Sequence, residues 1–345
     1  MLVPAHGEGS RVCVGRGEVE MLAGSKRTLV CAVALVMALL ALAAPASAAD
    51  RLLFGAYTPG DPYSGTTHGT DALETAIDRR VDIVAWYQNW GGGPWISSVQ
   101  PHIFEGIADS GRTPLLTWEP LDPYNWGPTQ PDYRLERIAR GDFDGYVARW
   151  AADLRDIGTT IYLRPMHEMN GNWYPWSPTV NGNSAQLFRA AWRRMHDIFT
   201  AHGASNVRWV WSPLNVDVPG TPGNRLEDLY PGEQYVDVLA TGGYNWGSER
   251  PDFGGWQSFS TIFAGIYERL RRLGPQPIWF TEVASDHRGG DKAAWVRDMF
   301  ATAARMDRLE AIVWFNENKE RDWRAAPTSE VAAAFANGTA AGVGP

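Results

Sequence analysis

The chain has 345 residues, 44% of them hydrophobic and 20% charged, with a formal net charge of −8 at pH 7. This is a globular composition, long enough for one large domain or two small ones. The acidic balance argues against a nucleic-acid binder, which carries a basic face, and favours a neutral or weakly charged partner.

The first segment reads as an address. From Met21 a basic opening (Lys26, Arg27) leads into an apolar run from Leu29 to about Ala44 and ends in the small residues Ala46-Ser47-Ala48. That is the pattern of a secretory signal peptide over residues 21–48, cut after Ala48. An uncleaved anchor is the alternative, but the run falls short of the roughly 20 residues of a comfortable span. Residues 1–20 then form an upstream extension outside the fold. A secreted, extracellular protein is expected, with no stable membrane association after cleavage. Both cysteines, Cys13 and Cys31, lie in the removed portion, so the remainder relies on its core rather than on disulfides.

Eight short apolar runs follow: Leu52-Ala56, Ile83-Trp86, Pro114-Trp118, Ile161-Met166, Val207-Trp211, Val238-Thr241, Ile278-Thr281 and Ile312-Phe315. Nearly continuous apolar runs suit parallel strands buried on both faces. Helical patterns fill the gaps. Over Phe143–Asp156, Phe143, Val147, Trp150, Ala151 and Leu154 share a stripe; over Ala185–Ala201, Leu187, Phe188, Ala191, Trp192, Met195 and Phe199 do. Gly158 and Gly203 end those helices. Eight strand–helix units over residues 49–345 predict an α/β fold, a single-domain (β/α)8 TIM barrel. A doubly wound open sheet is the runner-up and lacks a GxGxxG after the first strand.

In such a barrel the chemistry sits at the C-terminal ends of the strands. Those ends carry Gln88 and Asn89, Glu119, His167 and Glu168, Ser212, Tyr244 and Trp246, Glu282, and Asn316 with Glu317. Glu168 and Glu282, ending the fourth and seventh strands, nearly face each other around a ring of eight. Two facing carboxyls suit glycosidic bond cleavage, in which one protonates the leaving oxygen and the other meets positive charge at the anomeric carbon. His167-Glu168 does not fit a zinc HExxH motif, because Gly171 stands where the second histidine belongs. Nor do His68, His102, His196, His202 and His287 show ligand spacing, so neither a metal nor another cofactor is expected. Among the 17 tryptophans, Trp86, Trp90, Trp118, Trp173, Trp176, Trp246 and Trp314 lie at strand ends, where flat rings can meet the C–H face of a sugar, with about half expected in the core.

The segments RPMHEMNGNWYPW, WSP, GGYNW, PIWFTE and VWFNENKERDW resemble family 26 glycoside hydrolases across the whole stretch from first strand to last. The resemblance implies a retaining β-mannanase-like enzyme with Glu168 as acid/base and Glu282 as nucleophile. It also implies that Arg164 and His167 line the sugar site, that Trp173 stands at the cleavage point, that Tyr244 hydrogen-bonds the nucleophile, and that Trp314 is a sugar platform. Strand alternation puts Arg164, Met166 and Glu168 on one face. Two departures stand out: Leu214 follows Pro213 where asparagine is expected, and Glu119 stands where mannan-cleaving members often present histidine. Glu119 either contacts substrate or holds Arg164 or His167. The expected partner is a polysaccharide, β-1,4-mannan first, with mixed-linkage β-glucan or xylan behind, acted on by a monomer. The alternative of another class is a carbohydrate-binding barrel without catalysis.

Overall fold

The computed structural model describes residues 52–125 and 127–338. The upstream extension, the signal segment and both cysteines lie outside the described residues. Eight parallel strands, β1 (Leu53–Tyr57), β2 (Ile83–Asn89), β3 (Thr113–Glu119), β4 (Ile161–Pro165), β5 (Val207–Trp211), β6 (Val238–Asn245), β7 (Ile278–Ser285) and β8 (Leu309–Phe315), close into a barrel in chain order. β1 pairs with β8 from Leu53↔Ala311 to Tyr57↔Phe315. Each of the eight apolar runs overlaps one strand.

Alternation divides each strand between two cores. Ile83 and Ala85 of β2, Leu115 of β3, Val210 of β5, Val238 and Ala240 of β6, Trp279 of β7, and Ala311 and Val313 of β8 fill the barrel interior. Space there is short at β1: a Cβ on Gly55 would lie 2.8 Å from Ile83 Cβ, so glycine is required. The intervening residues point outward to the helices, and this is where most tryptophans go. Trp86, Trp118, Trp176, Trp211 and Trp314 are fully buried in that outer core. The expectation that strand-end tryptophans form a rim of sugar platforms is therefore corrected. Their parity aims them at the helical layer, and of the seven named only Trp173 counts among the exposed large side chains.

Ten helices are described: α1 (His68–Ile77), α2 (Pro94–Ser97), α3 (Pro101–Asp109), α4 (Leu135–Arg140), α5 (Asp144–Ile157), α6 (Ala185–Ala201), α7 (Leu226–Leu229), α8 (Phe259–Arg271), α9 (Lys292–Ala303) and α10 (Ser329–Ala336). α6 has the expected bounds. Ser184 Oγ accepts from the Leu187 N–H at its start, and Gly203 takes φ +71° just past its end.

One irregularity matters to the site. The β6–β7 pairing slips between Thr241 and Gly242, and the β7–β8 pairing slips between Phe280 and Val283. The bulge lets two successive residues of β7, Thr281 and Glu282, both face the barrel mouth. Phe280 points outward against Phe263, ring centroids 4.5 Å apart.

Candidate active site

β3, β4 and β7 bring their inward-facing polar residues to one level. Arg164, 1% exposed, donates through Nε to Thr117 Oγ1 (2.9 Å), through Nη1 to Thr281 Oγ1 (3.0 Å) and through Nη2 to Glu282 Oε1 (2.7 Å). Ser212 Oγ lies 3.0 Å from Thr281 Oγ1 and completes the floor. Two phenols hold Glu282 as well: Tyr87 donates to Oε1 at 2.8 Å and Tyr244 to Oε2 at 2.7 Å. Burial alone would raise the Glu282 pKa, but Arg164 and the two hydroxyls outweigh it and hold the carboxyl well below its usual range.

Glu168 reaches the same pocket by another route. β4 ends at Pro165, and Met166 and Glu168 then take left-handed backbone with φ +49° and +51°. The face shared by Arg164, Met166 and Glu168 is thus lost: Met166 packs into the outer core, and the turn, not the pleat, aims Glu168. The Glu168 N–H donates to the Ser212 carbonyl at 2.8 Å, and Trp173 Nε1 donates to Glu168 Oε2 at 3.0 Å. Asn170, fully buried, clamps this turn to the segment after β5 by donating to the Leu214 and Val216 carbonyls, each at 3.1 Å, and accepting from the Leu214 N–H at 2.7 Å. Asn215 is directed away, toward the Ile262 carbonyl.

Gly242 marks where the two carboxylic side chains meet. A Cβ there would lie 3.1 Å from Glu282 Cβ and 3.9 Å from Glu168 Oε1, so both border a single point. Burial, reinforced by the Glu282 charge, pushes the Glu168 pKa up to about 8. One pocket therefore holds a protonated acid and an anionic carboxylate at neutral pH.

His167, buried, places Nε2 3.8 Å from Glu282 Oε1 and Nδ1 3.9 Å from Glu119 Oε1, and burial keeps it neutral with its pKa lowered to about 3. Glu119 accepts from Asn89 Nδ2 at 2.6 Å; burial raises its pKa to about 8 against the opposing pull of Arg164. Trp246 is half-buried, stacked on Phe253 at 4.3 Å and edge-on to Trp323 at 5.2 Å.

Trp314 does not reach the site, and the platform role implied for it is corrected. Ala311 and Val313 face the barrel interior, so Trp314 faces outward; its Nε1 donates to the Trp323 carbonyl at 2.7 Å and its ring packs on Phe335 at 4.9 Å. The aromatics at the β8 end of the mouth are Phe315, stacked on Tyr57 at 4.7 Å, and Trp323, 5.2 Å from Tyr244. Tyr87, Thr117 and Thr281 were also missed. Tyr87 was open to detection, since alternation from Ile83 and Ala85 aims it inward. Among the described residues no group of three His, Cys, Asp or Glu side chains is placed to hold a metal ion.

Residues 127–277 match the model of the family described as Glycosyl hydrolase family 26. The chain is 37% identical over 290 residues to Endoglucanase H of Acetivibrio thermocellus, a match covering 81% of this chain and 30% of that protein. It is 31% identical over 198 residues to a mannan endo-1,4-beta-mannosidase of Bacillus subtilis, covering 52% of this chain and 49% of the relative. The matches thus span less than half the length of these two relatives. In fold, it superposes on Bacillus subtilis mannanase man26 with a TM-score of 0.60 at 18% identity, covering 84% of this chain and 86% of that one.

Proposed function

This chain belongs to glycosyl hydrolase family 26, and on that premise we propose that it is a secreted endo-β-glycanase working by double displacement with retention. The observation that carries the reading is the pair of carboxyls on one pocket with opposite protonation. Glu168 gives its proton to the glycosidic oxygen as Glu282 attacks the anomeric carbon and forms a glycosyl ester. Glu168, now a carboxylate, takes a proton from the water that attacks the ester, and Glu282 leaves. Arg164, Tyr87 and Tyr244 fix the attacking oxygens and disperse their charge until the bond forms.

The substrate is a β-1,4-mannan, in line with the mannan endo-1,4-beta-mannosidases among the relatives. Two observations favour β-glucan as a second reading: Glu119 stands at the mouth in place of the histidine expected of mannan-cleaving members, and Endoglucanase H matches more of this chain at higher identity than the Bacillus mannosidase.

Incubation with mannan, mixed-linkage β-glucan and xylan, scored by reducing ends and by the anomeric proton signal of the first product, tests the whole reading. New reducing ends with the starting configuration are expected. Glu282→Ala and Glu168→Ala each lower polymer hydrolysis by orders of magnitude, with aryl glycosides of good leaving ability less affected in Glu168→Ala. A wild-type chain that is retarded on a polysaccharide gel yet releases no ends is a binding barrel instead.

A further inference from the structure

α9 begins with a lysine that hardly meets solvent: Lys292 is 2% exposed, and the double displacement makes no use of it. Its Nζ donates to the Asp322 carbonyl at 3.1 Å and to the Arg324 carbonyl at 2.8 Å. The carbonyl between them, that of Trp323, accepts from Trp314 Nε1 at 2.7 Å. Three successive carbonyls of the segment after β8 are thus held by two buried side chains, and these pack on each other, with Nζ 5.5 Å from the centroid of the Trp314 ring.

A buried amine is costly unless its N–H groups are paired, so its place calls for a reason. Burial lowers its pKa to about 7, while Asp322 and Asp286 pull it up. The group changes between ammonium and amine near neutrality, and either form has N–H groups enough for two carbonyls.

What the held segment carries is Trp323. Its ring lies 5.2 Å from the ring of Tyr244 and 5.2 Å from that of Trp246. The Tyr244 hydroxyl in turn donates to Glu282 Oε2 at 2.7 Å. A route therefore runs from Nζ through the backbone of Trp323, its ring and Tyr244 to the carboxylate. A shift of the backbone at either flanking carbonyl moves the ring that Tyr244 leans on, and a hydrogen bond weakens steeply once its angle is lost.

We infer that Lys292 is a positioning residue for the catalytic centre: by holding the carbonyls on either side of Trp323, it sets the ring that keeps Tyr244 on Glu282. The inference rests on the glycanase reading for the role of Glu282.

The test is a double-mutant cycle on an aryl β-mannobioside and an aryl β-cellobioside, with kcat and KM read separately, joined to a crystal structure of the variant. Lys292→Met keeps an unbranched stem and removes the donors. Its kcat falls about tenfold, KM stays within about twofold, and the acid limb of kcat/KM moves to higher pH as Glu282 loses a donor. On a Tyr244→Phe background, which already lacks the hydroxyl, the same change lowers kcat by less than about twofold. Lys292→Gln, which keeps amide N–H donors, recovers part of the loss. The Lys292→Met structure shows Trp323 displaced and the Tyr244 hydroxyl withdrawn from Glu282. Unchanged kcat, an equal loss with and without the Tyr244 hydroxyl, or a variant structure with both rings in place overturns the positioning role even where wild type cuts its substrate. Failure of both Lys292→Met and Lys292→Gln to fold overturns it too and makes the lysine a determinant of the barrel. A wild-type chain that cuts no glycoside, with Tyr244 withdrawn in the variant structure, supports the positioning contact and overturns the glycanase reading.

Discussion

Glu282 is surrounded by donors and Glu168 is not, and this asymmetry separates their protonation. On the proposed mechanism the acid limb of kcat/KM belongs to Glu282, held well below its ordinary range by Arg164, and the alkaline limb to Glu168, near pH 8. A profile flat through neutrality and falling above about pH 8 is expected, and Glu168→Gln removes the alkaline limb from whatever activity remains. Arg164→Lys keeps one charge but loses the fork that spans Thr117, Thr281 and Glu282. Its acid limb moves to higher pH and kcat drops by at least tenfold, both measurable on an aryl glycoside. The raised pKa also bears on stability. Below the ordinary value of 4.5 Glu168 is protonated both folded and unfolded; as pH rises toward about 8 the unfolded chain loses the proton first and is favoured. Glu168→Gln therefore raises Tm by a few degrees at pH 8 and by less at pH 5, by calorimetry at the two pH values.

At the scale of elements, what was readable was periodicity, and what was hidden was its interruption. All eight strands were legible as apolar runs because a strand buried on both faces leaves little room for polar residues. α6 was legible to the residue because Ser184 caps it and a glycine follows it. Glu168 and Glu282 were legible as polar residues following apolar runs, although Glu168 lies beyond the end of β4, Glu282 lies inside β7, and the aim of neither was legible. The bulge in β7 and the left-handed turn after β4 leave no mark in a hydrophobic pattern, yet they orient the two carboxyls. The resemblance misled at β8, where alternation turns Trp314 outward and leaves the adjacent Phe315 to face the mouth. Trp314→Phe tests that correction. It costs on the order of 1–3 kcal/mol in denaturant unfolding, through lost packing and the lost bond to Trp323, and leaves KM for the polymer within about twofold.

For the whole molecule, the N-terminal segment predicts a processed product. Expressed in a secreting host, the protein recovered from the medium begins at Ala49, which intact mass and N-terminal sequencing check; a product retaining residues 21–48 in the membrane fraction overturns the expected cleavage. The pairing of β1 with β8 reaches further. Leu53 bonds into the sheet only beside residues more than 250 positions later in the chain. A ring of this kind cannot be sealed by any partial polypeptide, so a ribosome or translocation pore holding back the last strand also holds back the finished barrel. Emergence of the C-terminal end is the event that locks the structure, and a chain crossing a membrane N-terminus first stays threadable until nearly all of it has passed.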